Sequence, residues 1–159
     1  MPLDATLGTG DSYVTLAEAE AIALDYGAAF DGTVQEQEQA LRRAALFIDS
    51  LKFGGQPKAN QARAWPRDNT YGPDGALIEG VPEGVKRAQV FAASQELLRP
   101  NSLAPTVTEP IKEVQVGEIR VEYSSTPSAA ASGASSLAKF GAISAALQGL
   151  VVTGGRLYR

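Results

Sequence analysis

The chain has 159 residues, 14 of them basic and 18 acidic, a net charge of −4, and neither Cys nor His. Those absences exclude disulfides, thiolate metal sites and Cys nucleophiles, and they remove the commonest general base and metal ligand. No apolar run approaches the roughly 20 residues of a membrane helix, and the opening MPLDATLGTGDSY has no basic stretch before an apolar one, so a soluble cytosolic product without a signal peptide is expected.

The length suits one domain with an appendage. Residues 1–14 read as irregular, and GTG at 8–10 lacks the strand before it and the third glycine of a nucleotide loop. Thr15 and Glu18 form a capping box that opens a helix running to about Tyr26, with Gly27 as its stop. A second box, Thr33 with Glu36, opens the strongest helix, expected to reach about Phe53. Ala40, Leu41, Ala44, Phe47, Ile48 and Leu51 make its apolar stripe at helical spacing. Residues 54–81 form a long connection rich in Gly, Pro, Asn and Asp, the kind that is usually functional or disordered. It holds the single Trp, Trp65, whose expected role is to pin the loop to the helices. Pro82 suits a first helical position, and the third helix runs to about Arg99 before Pro100.

EVQVGEIRVEY, 113–123, alternates apolar and polar residues on both sides of Gly117-Glu118. This predicts a β-hairpin with a type II′ turn, Val116 opposite Ile119 and Val114 opposite Val121. Such a hairpin is marginal alone in water, so it needs a surface to lie on. SSTPSAAASGASS, 124–136, reads as a flexible linker. Beyond it Leu137, Phe140, Ile143, Ala146, Leu147, Leu150 and Val151 form another apolar, helix-like run. Folding back on its own body and docking on another subunit are both open to this segment; the second is the expectation. The fold class expected is mainly α: a small bundle of three core helices with one β-hairpin at 111–124, a linker at 125–136, and a helical or extended C-terminal arm at 137–159.

Charge is segregated. Residues 1–41 hold eight acids and no base, and residues 42–67 hold six bases and one acid, Asp49. Two solvated faces explain this, and so does a subunit that stacks acidic edge against basic edge in a ring. Chemistry finds little support. Asp68, Asn69 and Asp74 miss the spacing of a calcium loop and suit turns. Ser12, Ser50 and Ser94 have no His to activate them. No catalytic residue, cofactor or metal is expected. Nucleic-acid binding is the serious rival reading, since Trp65, Phe53 and Tyr71 lie in or beside the basic stretch and aromatics of this kind stack bases. The sequence pI of 4.9 stands against it.

The ordered landmarks GDSYVTLAEAEA, ALRRAALFIDSL, AWPR, a Tyr-Gly-Pro-Asp-Gly turn, VPEGVKRAQVFAASQELL and KEVQVGEIRVEY span roughly residues 10–124. Together they resemble the head–tail connector family of tailed phages, adaptor proteins that also carry the description DnaT-like single-stranded-DNA-binding protein. The resemblance implies a non-catalytic virion subunit, usually twelve to a ring, that sits below the portal protein in the neck after assembly in the host cytoplasm. Such a ring extends the DNA channel, passes the double-stranded genome without sequence-specific binding, and offers a platform to a stopper or tail-terminator protein; no membrane is involved. It also implies that the C-terminal segment reaches the portal. Here that assigns portal contacts to Leu137, Phe140, Ile143, Leu147, Leu150, Leu157, Tyr158 and Arg159. Contacts between subunits or along the neck are expected at Arg42, Arg43, Arg63, Trp65 and Arg67, and at Val116, Glu118 and Ile119 of the hairpin. The alternative is a single-stranded-DNA-binding accessory protein that uses Trp65 and Arg63.

Overall fold

Two threonines start the first two helices in this computed structural model, which describes residues 1–103, 113–116, 119–122 and 140–152. Helix α1, Leu16–Tyr26, opens on Thr15, whose hydroxyl accepts from the Glu18 amide while the Glu18 carboxylate accepts from the Thr15 amide at 2.8 Å. It ends on Gly27 at φ 64°, a left-handed conformation that costs glycine nothing. Helix α2, Val34–Asp49, repeats the box with Thr33 and Glu36. The predicted extension of α2 to Phe53 is corrected: the Ser50 amide is shared between the Leu46 and Phe47 carbonyls, and the helix closes. Asp49 is then drawn into contacts with Tyr13, Arg63 and Ala64.

Helix α3, Glu83–Leu98, follows Pro82, which takes the N-cap with an extended ψ of 146° rather than the first helical position. Its Ala88, Ala92 and Ala93 are fully buried, and such small side chains let neighbouring backbones approach. It packs against α1, α2 and the C-terminal helix. All six predicted stripe residues of α2 are buried. Between α2 and α3 the chain makes a short antiparallel ladder, β1 (Gln56–Pro57) on β2 (Arg67–Asp68), and an isolated bridge between Tyr71 and Leu77. The Trp65–Pro66 peptide is cis.

Strands β3 (Glu113–Val116) and β4 (Ile119–Glu122) pair antiparallel in the predicted register, Val116 with Ile119 and Val114 with Val121. The predicted turn at 117–118 and the linker lie outside the described residues. The fold is mainly helical with one two-stranded hairpin, as expected.

The C-terminal segment corrects an expectation. Helix α4, Gly141–Ala146, folds back on the body. Ile143, Leu147 and Leu150 are buried in the same core as α2 and α3. Val151 forms an isolated bridge with Phe53, and the Val152 amide donates to the Lys52 carbonyl at 2.8 Å. A glycine on α3 makes the fit possible: a Cβ at Gly84 would stand 2.4 Å from the Ala146 carbonyl oxygen. The run is apolar because its own chain covers it. No helix among the described residues is long and apolar enough to cross a membrane.

Candidate nucleic-acid interface and contact surfaces

The four arginines of the basic stretch lie on α2 and on the loop that follows it, and each is engaged inside the chain. Arg42 pairs with Asp11, lies 3.7 Å from Glu38 and donates to the Met1 carbonyl. Arg43 meets Glu96 at 2.9 Å. Arg63, with 10% of its side chain exposed, meets Asp49 at 2.9 Å and donates to the Gly10 and Asp11 carbonyls. Arg67 donates to the carbonyls of Phe53, Gly54, Gly55 and Ala64. Lys58 makes an exposed 3.6 Å pair with Asp68. Lys52 is exposed.

Trp65 is fully buried, its ring edge-to-face with Phe53 at 5.5 Å between centroids. It is the anchor that its position in a Gly/Pro-rich loop suggested, and it offers no face to a base. Tyr13 also reaches this region. Its hydroxyl donates to Asp49, and burial first, then the bond to that carboxylate, push its pKa well above the ordinary value of 10.0.

Sequence reasoning missed a second buried polar centre, Gln89 on α3. Its Oε1 accepts from the Tyr13 amide at 3.0 Å, and its Nε2 donates to Ser12 Oγ and to the Leu41 carbonyl. It ties the N-terminal segment to α2 and α3, a task that a Gln in a helical stretch does not announce. Glu96 does the same after α3. Its buried carboxylate accepts from the Asn101 and Leu103 amides and from Arg43. Burial opposes its ionisation, but those bonds win and hold its pKa below the ordinary 4.5.

Of the predicted portal contacts, Ile143, Leu147 and Leu150 are buried in the core. Phe140 is half-buried and edge-to-face with Phe47 at 6.0 Å. Leu137, Leu157, Tyr158 and Arg159 lie outside the described residues, as does Glu118. Val116 and Ile119 form the last described pair of the hairpin. Among the described residues, no group of three or more acidic side chains gathers as a metal site would require.

Residues 4–159 match the model of a family described as "Putative DnaT-like ssDNA binding protein". The chain belongs to that family. Neither the curated proteins nor the solved structures provide a match.

Among the described residues this DnaT-like chain exposes apolar and acidic groups, and Lys52, Lys58 and Arg99 as well. A groove of about 500 Å³ runs between the end of α1, α3 and α4, lined by Tyr26, Ala29, Phe91, Leu98, Phe140 and Ile143. Arg87 lies over the Tyr26 ring at 5.8 Å and donates to the Tyr26 hydroxyl at 3.1 Å. Tyr71 and Leu77, joined by their bridge, are each more than half exposed on the long loop. Glu20, Asp25 and Asp31 are exposed around α1 and form no ion pair among the described residues.

Proposed function

We propose that this DnaT-like chain is a non-catalytic structural subunit, a head-to-tail connector of a tailed-phage neck. It forms a ring with its own copies below the portal protein, extends the DNA channel and receives the next neck or tail protein. One observation carries this reading over DNA binding: all four arginines of the basic stretch are held by internal acids or carbonyls, and Trp65 is fully buried. The four arginines, Phe53 and Trp65 instead stiffen the body, while Tyr71 stays more than half exposed. The acidic and apolar groups exposed among the described residues suit protein neighbours and a channel wall along which phosphates slide. The ordered landmarks of the sequence supply the rest of the support. The portal contact, if made by the C-terminus, falls to residues 153–159 and to those before Phe140, because Ile143, Leu147 and Leu150 are already covered.

The test images the purified chain mixed with portal rings by electron microscopy. Added ring density on the tail side of the portal is the expected result. Portal rings that stay bare at micromolar chain would overturn the reading.

The family description favours a second reading, single-stranded-DNA binding. Its cations would come from Lys52, Lys58 and Arg99 and from Lys112, Arg120, Lys139, Arg156 and Arg159, because the arginines of α2 and its loop are occupied. Fluorescence anisotropy of a labelled oligothymidine separates the two. Binding at physiological salt that weakens steeply with added salt supports this reading; a flat titration to micromolar chain removes it.

A further inference from the structure

We infer that the groove between α1, α3 and α4 receives the turn at 70–78 of a second copy, a contact between two different surfaces that repeats from subunit to subunit. The inference rests on the reading of a self-associating subunit and names the surfaces that meet.

The turn is a built projection. The Ile78 amide donates to the Thr70 carbonyl at 2.9 Å, the Gly72 amide to the Ala76 carbonyl at 2.8 Å, and the Gly75 amide to the Gly72 carbonyl at 2.9 Å. Tyr71 and Leu77 are bridge partners across it, and antiparallel partners point to one face. Both are more than half exposed. Held side by side on a hydrogen-bonded ladder, they make a fixed apolar knob rather than scattered surface residues. The groove is its counterpart, with Phe91 and Leu98 on the α3 wall and Tyr26 and Phe140 facing them. Tyr26 and Leu98 are again more than half exposed.

Charge and position select this turn as the occupant. Among the described residues, Arg87 and Arg99, beside Tyr26 and Leu98, have no carboxylate partner, and neither Asp74 on the turn nor Glu79 after it has a cation. Asp25 and Asp31 edge the α1 side of the groove, and Lys58 shares a recess with Leu77, held only by an exposed 3.6 Å pair with Asp68. Each surface thus offers charges of the sign that the other lacks, which fixes orientation more than affinity. The two do not meet within one chain. Phe140 and Ile143, at the start of the C-terminal segment, line the groove, whereas Gly149, past the end of α4, abuts Pro73 of the turn. Surfaces at opposite ends of a subunit make a heterologous contact, and such contacts close into a ring when the rotation allows. One turn in one groove buries less than the roughly 1,200 Å² of a stable pair, so two isolated copies associate weakly and ring closure adds the rest.

The absence of Cys makes the test direct. Ala76 on the turn and Ala142 at the groove are both exposed, and neither supplies the knob or the walls. Full-length Ala76→Cys and Ala142→Cys are mixed at about millimolar concentration and oxidised, and docking predicts disulfide-linked pairs of one variant with the other at least about tenfold over either like pair. Adding Tyr71→Ser and Leu77→Ser to the turn variant should abolish that excess. Unlike pairs at the frequency of random collision, or an excess that survives the serines, overturns the docking. Portal rings that gain density while the unlike excess is absent would sink this contact and leave the connector reading standing. An unlike excess with portal rings still bare would keep the contact and remove the neck assignment.

Discussion

Asp49 accepts from Tyr13, from Arg63 and from the Ala64 amide with 18% of its side chain exposed. A buried pair of this kind is weak evidence of net stabilisation, yet breaking one partner strands the other, at about 3–5 kcal/mol. Asp49→Ala should therefore lower the stability measured by urea unfolding by about 3 kcal/mol, because the Arg63 guanidinium keeps only carbonyl partners. Arg43 reads the same in sequence, but half of its side chain is exposed, and Glu96 retains the Asn101 and Leu103 amides without it. Arg43→Ala should cost only about 1 kcal/mol. Equal losses in the two variants would mean that burial does not set these energies. Trp65→Ala removes the largest fully buried side chain and should cost about 3–5 kcal/mol. Its effect on any oligonucleotide binding should follow the unfolded fraction alone. A variant that unfolds at the wild-type urea concentration while losing DNA affinity would place the indole at a DNA surface after all.

Helices α1 to α3 were legible because their signals are local. A Thr with Glu three residues on, an apolar stripe at helical spacing and a terminal Gly or Pro act within a few turns. The partners of the arginines were not legible, because Arg42, Arg43 and Arg63 reach acids or carbonyls as far as 53 residues away. The docking of α4 was misread for a related reason. An apolar run has the same pattern whichever polypeptide covers it, and here the receiving surface includes an absent side chain, that of Gly84. The missing Cβ makes the element testable. Gly84 is the second residue of α3, where alanine is favoured over glycine by less than the roughly 1 kcal/mol of a helix interior, so Gly84→Ala stabilises α3 slightly unless the Ala146 carbonyl obstructs it. The expected result is net destabilisation of about 1–3 kcal/mol, with hydrogen exchange accelerated at 143–152 and unchanged along α2. Stabilisation of the variant would show that α4 does not sit on Gly84.

For the molecule as a whole, acidity couples to folding through carboxylates that the native state prefers ionised. Hydrogen bonds from Thr15 and Thr33 lower the pKa of Glu18 and Glu36, and Thr6 does so for Asp4. For Asp11, as for Glu96, burial opposes ionisation but is outweighed, here by Arg42 and the Asp4 amide. A carboxylate whose folded pKa lies below its unfolded one lends stability above the unfolded value and loses it as pH falls through the folded value. Loss should thus begin near the ordinary 4.5 and 3.8 of Glu and Asp and deepen below them. Tyr13 acts at the other end with the opposite sign. Its pKa is raised on folding, so its contribution is complete below the ordinary 10.0 and declines as pH climbs past it. With no His and no Cys in between, urea midpoints should stay level from about pH 5 to about pH 9 and fall on both sides. Glu96→Gln should shrink the acid limb and Tyr13→Phe the alkaline one, each from a lower plateau, since each substitution also weakens a buried hydrogen bond. A midpoint that swings between pH 6 and 8 would contradict this account, since no His or Cys side chain is present to titrate there.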